Sequence, residues 1–123
     1  MQLFFYSSTE NAHKKRLEAA IYKVIPGKSV EFFETLGDLR ERLRRIIEPD
    51  SIAVFFAINR KELLRMQMLR ELLPEIYVIL VLPDRTASTI GLAHLLLPRF
   101  LTQKEDPFTD LKEVLNKMVR NSR

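Results

Sequence analysis

The chain has 123 residues, 46% of them hydrophobic, which suits one globular domain with its own hydrophobic core. Because cysteine is absent, disulfide bonds, thiolate metal sites and cysteine nucleophiles are excluded. The formal net charge of +4 allows a nucleic-acid partner, but acidic residues interrupt the basic segments 38–46 and 59–70, which is typical of solvated helix faces. A basic regulator associated with nucleic acid is therefore an alternative and not our first interpretation.

Neither a membrane segment nor a metal motif is expected. The longest apolar run, IYVILVLP at 76–83, is far shorter than a membrane span, and no signal-peptide pattern precedes it. We therefore expect a cytoplasmic protein that makes no membrane contact. His13 and His94 are distant in sequence and lack the spacing of metal ligands, so we expect no metal site through them.

Apolar runs alternate with amphipathic helical patterns along the whole sequence. Strands are expected at 3–6, 29–33, 51–58, 76–82 and 99–103. Helices are expected at 11–24, 36–47, 60–73 and 86–97, and from 106 onward. The runs at 51–58 and 76–82 are apolar throughout, as in central strands that helices cover on both faces.

Polar residues mark where the helices should begin. Ser8 or Thr9 is a candidate cap for the first helix, and Asn59 can cap the third, with Glu62 three residues on in the capping-box position. The Asp106–Pro107 pair is expected to start the last helix. The inner face of that helix should carry Phe108, Leu111, Leu115 and Met118.

Five strand–helix units with short connections predict a single α/β domain over 1–123. The expected architecture is a flavodoxin-like, doubly wound, five-stranded parallel sheet in the order 2-1-3-4-5 with five helices. Ligands of such sheets bind where the strand order reverses, at the carboxyl ends of strands one and three. Functional residues are therefore expected first in the segments 7–10 and 57–60.

The segment after the first strand partly matches a flavodoxin phosphate loop, which typically reads Ser/Thr-x-Thr-Gly-x-Thr. Ser7, Thr9 and Asn11 fit that pattern, but Glu10 stands at the glycine position and Ala12 at the last threonine position. A carboxylate would repel the phosphate, and a side chain at the glycine position blocks its close approach to the backbone. We therefore expect no flavin and no other cofactor.

A second resemblance covers the whole chain. The segments LFFYSSTE at 3–10, PDSIAVFF at 49–56, IYVILVLPD at 76–84 and RFLTQKEDPFTDLKEVL at 99–115 are spaced as in the receiver domain of response regulators. The resemblance implies a signalling domain of a two-component system. It also implies two magnesium-binding acids after strand one, a phospho-accepting Asp at the end of strand three, a Ser/Thr after strand four and a Lys after strand five.

The residues at those positions are different in this chain. They are Ser7, Ser8, Ala57, Leu82 and Gln103. Hydroxyls do not supply the charge that Mg²⁺ needs, and the segment 51–61 has no acid in any alignment of the acceptor. Lys104 lies one residue beyond Gln103, so either can take the lysine position. The expected protein is an atypical, non-phosphorylatable receiver-like domain that is not an enzyme and acts through protein–protein interaction.

Receivers bind partners through their fourth helix, fifth strand and fifth helix. On a helical wheel, the fourth helix of this chain carries two apolar sides, one with Ile90, Ala93 and Leu97 and one with Leu92, Leu95 and Leu96. Only one side can face the sheet, so the second set is expected to meet a protein partner, with a second copy of the chain as one candidate. The alternative is that the last turn frays and its leucines enter the core.

A different class of function rests on polar residues at the strand ends. Thr9, Asn11, Asn59 and Arg60 could converge on a small molecule or nucleotide in the crevice of a flavodoxin-like domain. The structural interpretation is that Thr9 and Asn59 only cap helices. We favour the caps.

Overall fold

A parallel sheet of five strands forms the centre of the computed structural model, which describes residues 1–121. The strands are β1 (Leu3–Ser7), β2 (Val30–Phe33), β3 (Ile52–Phe56), β4 (Tyr77–Leu82) and β5 (Phe100–Gln103). Their order is β2-β1-β3-β4-β5, and every neighbouring pair is parallel. The predicted flavodoxin-like fold and strand order are confirmed.

Five helices connect and cover the strands, as the alternation predicts. They are α1 (Ala12–Tyr22), α2 (Leu36–Leu43), α3 (Arg60–Arg65), α4 (Ala87–His94) and α5 (Thr109–Asn121). A short 3-10 turn at Gly27–Ser29 precedes β2, and a longer 3-10 segment at Met66–Leu72 continues α3. Among residues 1–121, no helix is long and apolar enough to cross a membrane.

The hydrophobic core lies in two layers, one on each face of the sheet, because the strands β1 and β3 are buried on both sides. Helices α1 and α5 cover one face, and Phe108, Leu111, Leu115 and Met118 are buried there as predicted. Helices α2, α3 and α4 cover the other face.

Several helix ends differ from the sequence prediction. Asn11, and not Ser8 or Thr9, caps α1, because its side chain accepts a hydrogen bond from the N–H of Lys14 at 2.9 Å. Helix α2 ends at Leu43, so Ile46 is 96% exposed and does not continue the apolar face. Helix α5 begins three residues beyond the predicted start.

The third helix also departs from a regular α-helical pattern. After Arg65 the chain tightens into a 3-10 segment, which changes which side chains face the sheet. Met66 and Leu69 are buried, whereas Leu64 and Met68 point to the surface.

Candidate functional site

The carboxyl ends of β1 and β3 lie side by side, because the strands pair in register from Leu3 with Ile52 to Ser7 with Phe56. The strand order reverses here, with β2 beyond β1 and β4 beyond β3. Doubly wound sheets bind ligands at such a point. The residues that follow these two strands therefore form the candidate site.

A buried carboxylate occupies this corner of the sheet. Glu62 lies in the first turn of α3, and its Oε2 accepts hydrogen bonds from the hydroxyls of Tyr6 at 3.0 Å and Ser8 at 2.6 Å. Its Oε1 accepts a bond from the backbone N–H of Ile58 at 3.1 Å. Hydrogen bonds of this kind offset the cost of burying a charge. One acid thus joins both strand ends to α3.

The start of α3 explains how Glu62 reaches the corner. Asn59 caps the helix as predicted, and its Oδ1 accepts a hydrogen bond from the backbone N–H of Glu62 at 2.8 Å. In a capping box the Glu carboxylate would accept a hydrogen bond from the backbone N–H of the cap residue, Asn59. Here it accepts one from the N–H of Ile58, one residue earlier, and it lies next to the end of β1. The capping position of Glu62 is visible in the sequence, but its place in the site is not.

The environment of Glu62 also affects Tyr6. Burial and then the nearby charge of Glu62 raise the pKa of Tyr6 to about 12. The phenol is therefore protonated near neutral pH and is a fixed hydrogen-bond donor. The hydrogen bond from Tyr6 to Glu62 therefore has the character of a structural contact.

The serines at the end of β1 are both engaged within the chain. Ser7 is buried and donates a hydrogen bond to the carbonyl oxygen of Thr9 at 2.9 Å. Ser8 is exposed, but its hydroxyl is the donor to Glu62. At the end of β3, Ala57 is buried, and its N–H donates to the carbonyl of Val81 at 3.0 Å. These three positions are neighbours in space, and among them only the two serine hydroxyls are polar side-chain groups.

The remaining two positions lie at the ends of β4 and β5. Leu82 is a buried core residue, and its carbonyl accepts a hydrogen bond from the N–H of Lys104 at 3.0 Å. The N–H of Gln103 donates to Oδ2 of Asp106 at 3.1 Å.

A second carboxylate organises the loops beyond β4 and β5. Asp106 accepts two hydrogen bonds from Arg85, at 2.7 and 2.8 Å, and one from the hydroxyl of Thr102 at 2.6 Å. Burial acts to raise the pKa of Asp106, but the hydrogen bonds from Thr102, Gln103 and Arg85 outweigh it and the net pKa is lowered. The ionised carboxylate therefore links these two loops.

The polar residues proposed to bind a small molecule are used in local structure. Asn11 and Asn59 cap α1 and α3, and Arg60 donates a hydrogen bond to the hydroxyl of Ser88 at 2.8 Å. The backbone carbonyl of Thr9 is the acceptor for Ser7. The expected cap is confirmed for Asn59, whereas Thr9 caps no helix and Asn11 takes that role in α1.

Neither histidine is part of a metal centre in the part of the chain that the structure describes. Among residues 1–121, no three side chains of the types that bind metals are grouped to hold an ion. His13 lies beside Arg16, with 3.2 Å between Nδ1 and Nη2. His94 is exposed at the end of α4.

The leucines of α4 do not form the continuous surface that the helical wheel predicts. Leu96 is only 2% exposed and belongs to the core, so its assignment to an interaction surface is wrong. The helix ends at His94, and the following tight turns direct Leu96 inward. Leu92 is partly buried against the same core, whereas Leu95 is 49% exposed. Leu97, predicted on the inner side, is 85% exposed.

Comparison with known proteins provides no relationship to build on. No model of a protein family matches the sequence, and no curated protein matches it.

Proposed function

We propose that this chain is a receiver-like signalling domain that is not phosphorylated and acts by associating with other proteins. The observation that carries the proposal is the position of Glu62, whose carboxylate fills the corner between β1 and β3. In receivers that corner holds Mg²⁺ and the phosphoryl group.

The chemistry of the corner argues against phosphoryl transfer. Mg²⁺ binds through carboxylates and requires near-octahedral geometry. Both oxygens of Glu62 already accept hydrogen bonds, and Ser8 contributes only a hydroxyl that is committed to Glu62. Ala57 offers no acceptor for a phosphoryl group. Binding of the metal would require breaking the hydrogen bonds that hold the two strand ends to α3.

The same carboxylate disfavours a nucleotide as the ligand of this crevice. A negative charge at the strand ends repels phosphate, and its effect is strongest where water is excluded. The amide oxygens of Asn11 and Asn59 accept hydrogen bonds from helix N–H groups. A small-molecule-binding domain therefore receives less support than a protein-binding domain.

Exposed leucines support association with proteins. Leu95 and Leu97 lie at the end of α4 and expose apolar surface to water. A partner protein that covered these side chains would gain the free energy of burying that apolar surface. A second copy of the chain remains one candidate for that partner.

The test is incubation with acetyl phosphate or beryllofluoride in the presence of magnesium. A phosphorylatable receiver treated in parallel serves as the positive control. We expect no gain in mass and no change in the NMR spectrum of this chain. A stoichiometric phosphoaspartate, or magnesium binding that Ser8→Ala abolishes, would contradict the proposal.

A further inference from the structure

The strand β2 is an open edge of the sheet, because among residues 1–121 it pairs with β1 alone. An edge strand presents backbone N–H and C=O groups that a further strand can bind. The pairing of β2 with β1 runs from Val30 to Phe33 without a bulge, and the strand contains no proline. Bulges and prolines are common devices that protect an edge, and β2 has neither.

The other edge strand, β5, is closed at its end by its own loop. The N–H of Gln103 donates to the carboxylate of Asp106 at 3.1 Å, and the carbonyl of Gln103 accepts from the N–H of Asp106 at 3.0 Å. At β2 the local contact is at the start, where the N–H of Val30 donates to the carbonyl of Gly27. Within residues 1–121, the backbone of 31–33 makes no hydrogen bond besides its pairing with β1.

Exposed aromatic side chains border this edge on the face that α1 covers. Phe32 of β2 is partly exposed, and its ring lies 5.3 Å from the ring of Phe5 in the core of that face. Tyr22, at the end of α1, is exposed as well. Its ring lies beside the turn that leads into β2, since a Cβ built on Gly27 would be 3.7 Å from it. Apolar surface therefore continues from the strand to the end of α1.

A further exposed side chain borders the edge on the opposite face. Ile46 follows α2 and is almost fully exposed. Its carbonyl accepts a hydrogen bond from Arg42 at 3.3 Å, and the same guanidinium donates to Glu31 of β2 at 2.9 Å. Ile46 therefore lies beside the start of β2. Apolar surface is open to water on both faces next to this strand.

At the start of β2 the unpaired charges are positive. Lys28 precedes the strand, and Arg45 follows α2 in a surface depression that Glu31 also lines. Both cations are exposed, and within residues 1–121 neither forms a salt bridge. The acids nearby are already paired. Glu31 binds Arg42 at 2.9 Å, and Glu48 binds the N-terminal amine at 2.8 Å.

At the other end of β2 the unpaired charges are negative. Glu34 directly follows the strand, and Asp38 lies one helical turn before Arg42 on the side of α2 that faces β2. Both acids are exposed and form no salt bridge within the described chain. Glu41 and Arg44, also on this side of the molecule, pair with each other at 3.4 Å.

The cations of α1 do not reverse the charge at that end. Lys14, whose ammonium lies 4.5 Å from the centre of the Phe32 ring, is buried and paired with Glu10 and Glu18. Lys15 is exposed, but it lies two residues before the buried Leu17 and so points away from the sheet. The edge is therefore positive at its start and negative at its end.

We propose that two copies of the chain associate edge to edge through β2, with the two strands antiparallel, so that both sheets join into one. Antiparallel alignment brings the positive start of each strand to the negative end of the other, and the two-fold symmetry makes this contact twice. Parallel alignment would bring like charges together at both ends. A folded copy also carries helices on both faces, whereas an extended peptide would leave Tyr22 and Ile46 uncovered. This surface is separate from the leucines of α4, so the proposal goes beyond the proposed function.

The test is analytical ultracentrifugation of the whole chain over a range of concentrations. We expect the mass of the wild type to rise from 14.5 kDa toward twice that value. Glu34→Lys should weaken the dimer about ten-fold, because two attractive contacts become repulsive, and Lys28→Glu should do the same. An equimolar mixture of the two variants should restore the wild-type affinity, since every contact again joins opposite charges.

Glu113→Lys is the matched control, because Glu113 is an exposed acid of α5 and its substitution changes the net charge by the same amount. It should leave the affinity unchanged. A wild type that is monomeric at every concentration would overturn the proposal, and so would equal effects of Glu34→Lys and Glu113→Lys. A dimer that only Leu95→Glu dissociates would also overturn it. The treatment with acetyl phosphate tests the proposed function independently of these results.

Single cysteines report the orientation of the strands, because the chain has no cysteine of its own. In an equimolar mixture of Lys28→Cys and Glu34→Cys, antiparallel strands should form disulfides between unlike variants under mild oxidation, and one contact between Lys28 and Glu34 is kept. A predominance of disulfides between like variants would indicate parallel strands and overturn the proposal.

Discussion

The hydroxyl of Tyr6 donates a hydrogen bond to Oε2 of Glu62 over 3.0 Å, although the two residues lie 56 positions apart in the sequence. Tyr6 belongs to β1 and Glu62 to α3, which are neighbours only because β3 pairs with β1. This contact joins the point where the strand order reverses to helix α3. The stability of the corner therefore depends on how α3 packs against the end of β1.

We expect Glu62→Gln to lower the free energy of unfolding by about 2–3 kcal/mol. Hydrogen bonds to a charged group are stronger than neutral ones, and the amide NH₂ of Gln would face donors where the carboxylate accepts. Urea unfolding measures the change. Glu71→Gln, an exposed site on the same segment, is the control and should change stability by no more than about 0.5 kcal/mol. Equal losses of stability in the two variants would contradict the hydrogen-bond network around Glu62.

The raised pKa of Tyr6 predicts a loss of stability at high pH. Tyr6 keeps its proton in the folded state up to about pH 12, whereas an unfolded tyrosine loses it near its model value of 10.0. Between these values the unfolded state binds fewer protons, so stability falls by about 1.4 kcal/mol per pH unit from this group. Below pH 10.0 the stabilising contribution of Tyr6 is fully present.

Comparison with Tyr6→Phe isolates that contribution, because other groups titrate equally in both proteins. We expect the stability difference between wild type and variant to change over this pH window, in favour of the variant as pH rises. The measurement is urea unfolding at a series of pH values. A stability difference that does not change with pH would show that burial and Glu62 do not raise the pKa of Tyr6.

Asp106→Asn should destabilise the protein by about 1–2 kcal/mol at neutral pH, because the ionised carboxylate accepts bonds from Arg85 and Thr102. Since the folded-state pKa is lowered, the stability contribution is present above the unfolded pKa and is lost as pH falls through the folded value. The cost of the substitution should therefore shrink in acid. Thermal unfolding against pH tests this, with exposed Glu105→Gln as the control. A cost that stays the same in acid would contradict the assignment.

Much of the fold follows from the order of the apolar runs. The fully apolar segments around β3 and β4 are typical of inner strands in a parallel sheet that helices cover on both faces. Local tightening of the chain could not be predicted in the same way. The 3-10 segment after Arg65 leaves Met68 exposed while Met66 is buried, and the turns after His94 bring Leu96 into the core. A helical wheel assumes a constant angle per residue and fails at such places.

The candidate site was predictable in position but not in content. The ends of β1 and β3 were expected to meet, and they do. The acid that fills the corner comes from α3, and its three hydrogen-bond donors come from the ends of two strands, Tyr6 and Ser8 at β1 and Ile58 after β3. The capping position of Glu62 was visible in the sequence. Its burial depends on tertiary packing, which no local pattern encodes.

Leu97→Gly should stabilise the protein by up to about 1 kcal/mol. Leu97 has a φ of 52°, in the left-handed region that disfavours a side chain, and is largely exposed. Glycine removes that strain. Its greater conformational freedom in the unfolded chain offsets part of the gain in stability. The control is Leu95→Gly, where φ is −65° and glycine should destabilise by about 1 kcal/mol. A loss of stability in both variants would mean that Leu97 makes contacts that outweigh its backbone strain.

Two adjacent leucines at the end of α4 should respond in opposite ways to a charge. Leu96 is buried among core residues of the α2, α3 and α4 layer, so Leu96→Glu should unfold the protein or cost several kcal/mol, because the new carboxylate has no partner. Leu95 faces solvent, so Leu95→Glu should leave the fold intact while weakening any association that covers this surface. Circular dichroism reports folding, and light scattering over a range of concentrations reports mass. If the wild type forms a dimer through α4, Leu95→Glu should shift it toward monomer. A wild type that is monomeric at every concentration would remove the dimer, and a Leu95→Glu variant that fails to fold would place that side chain in the core.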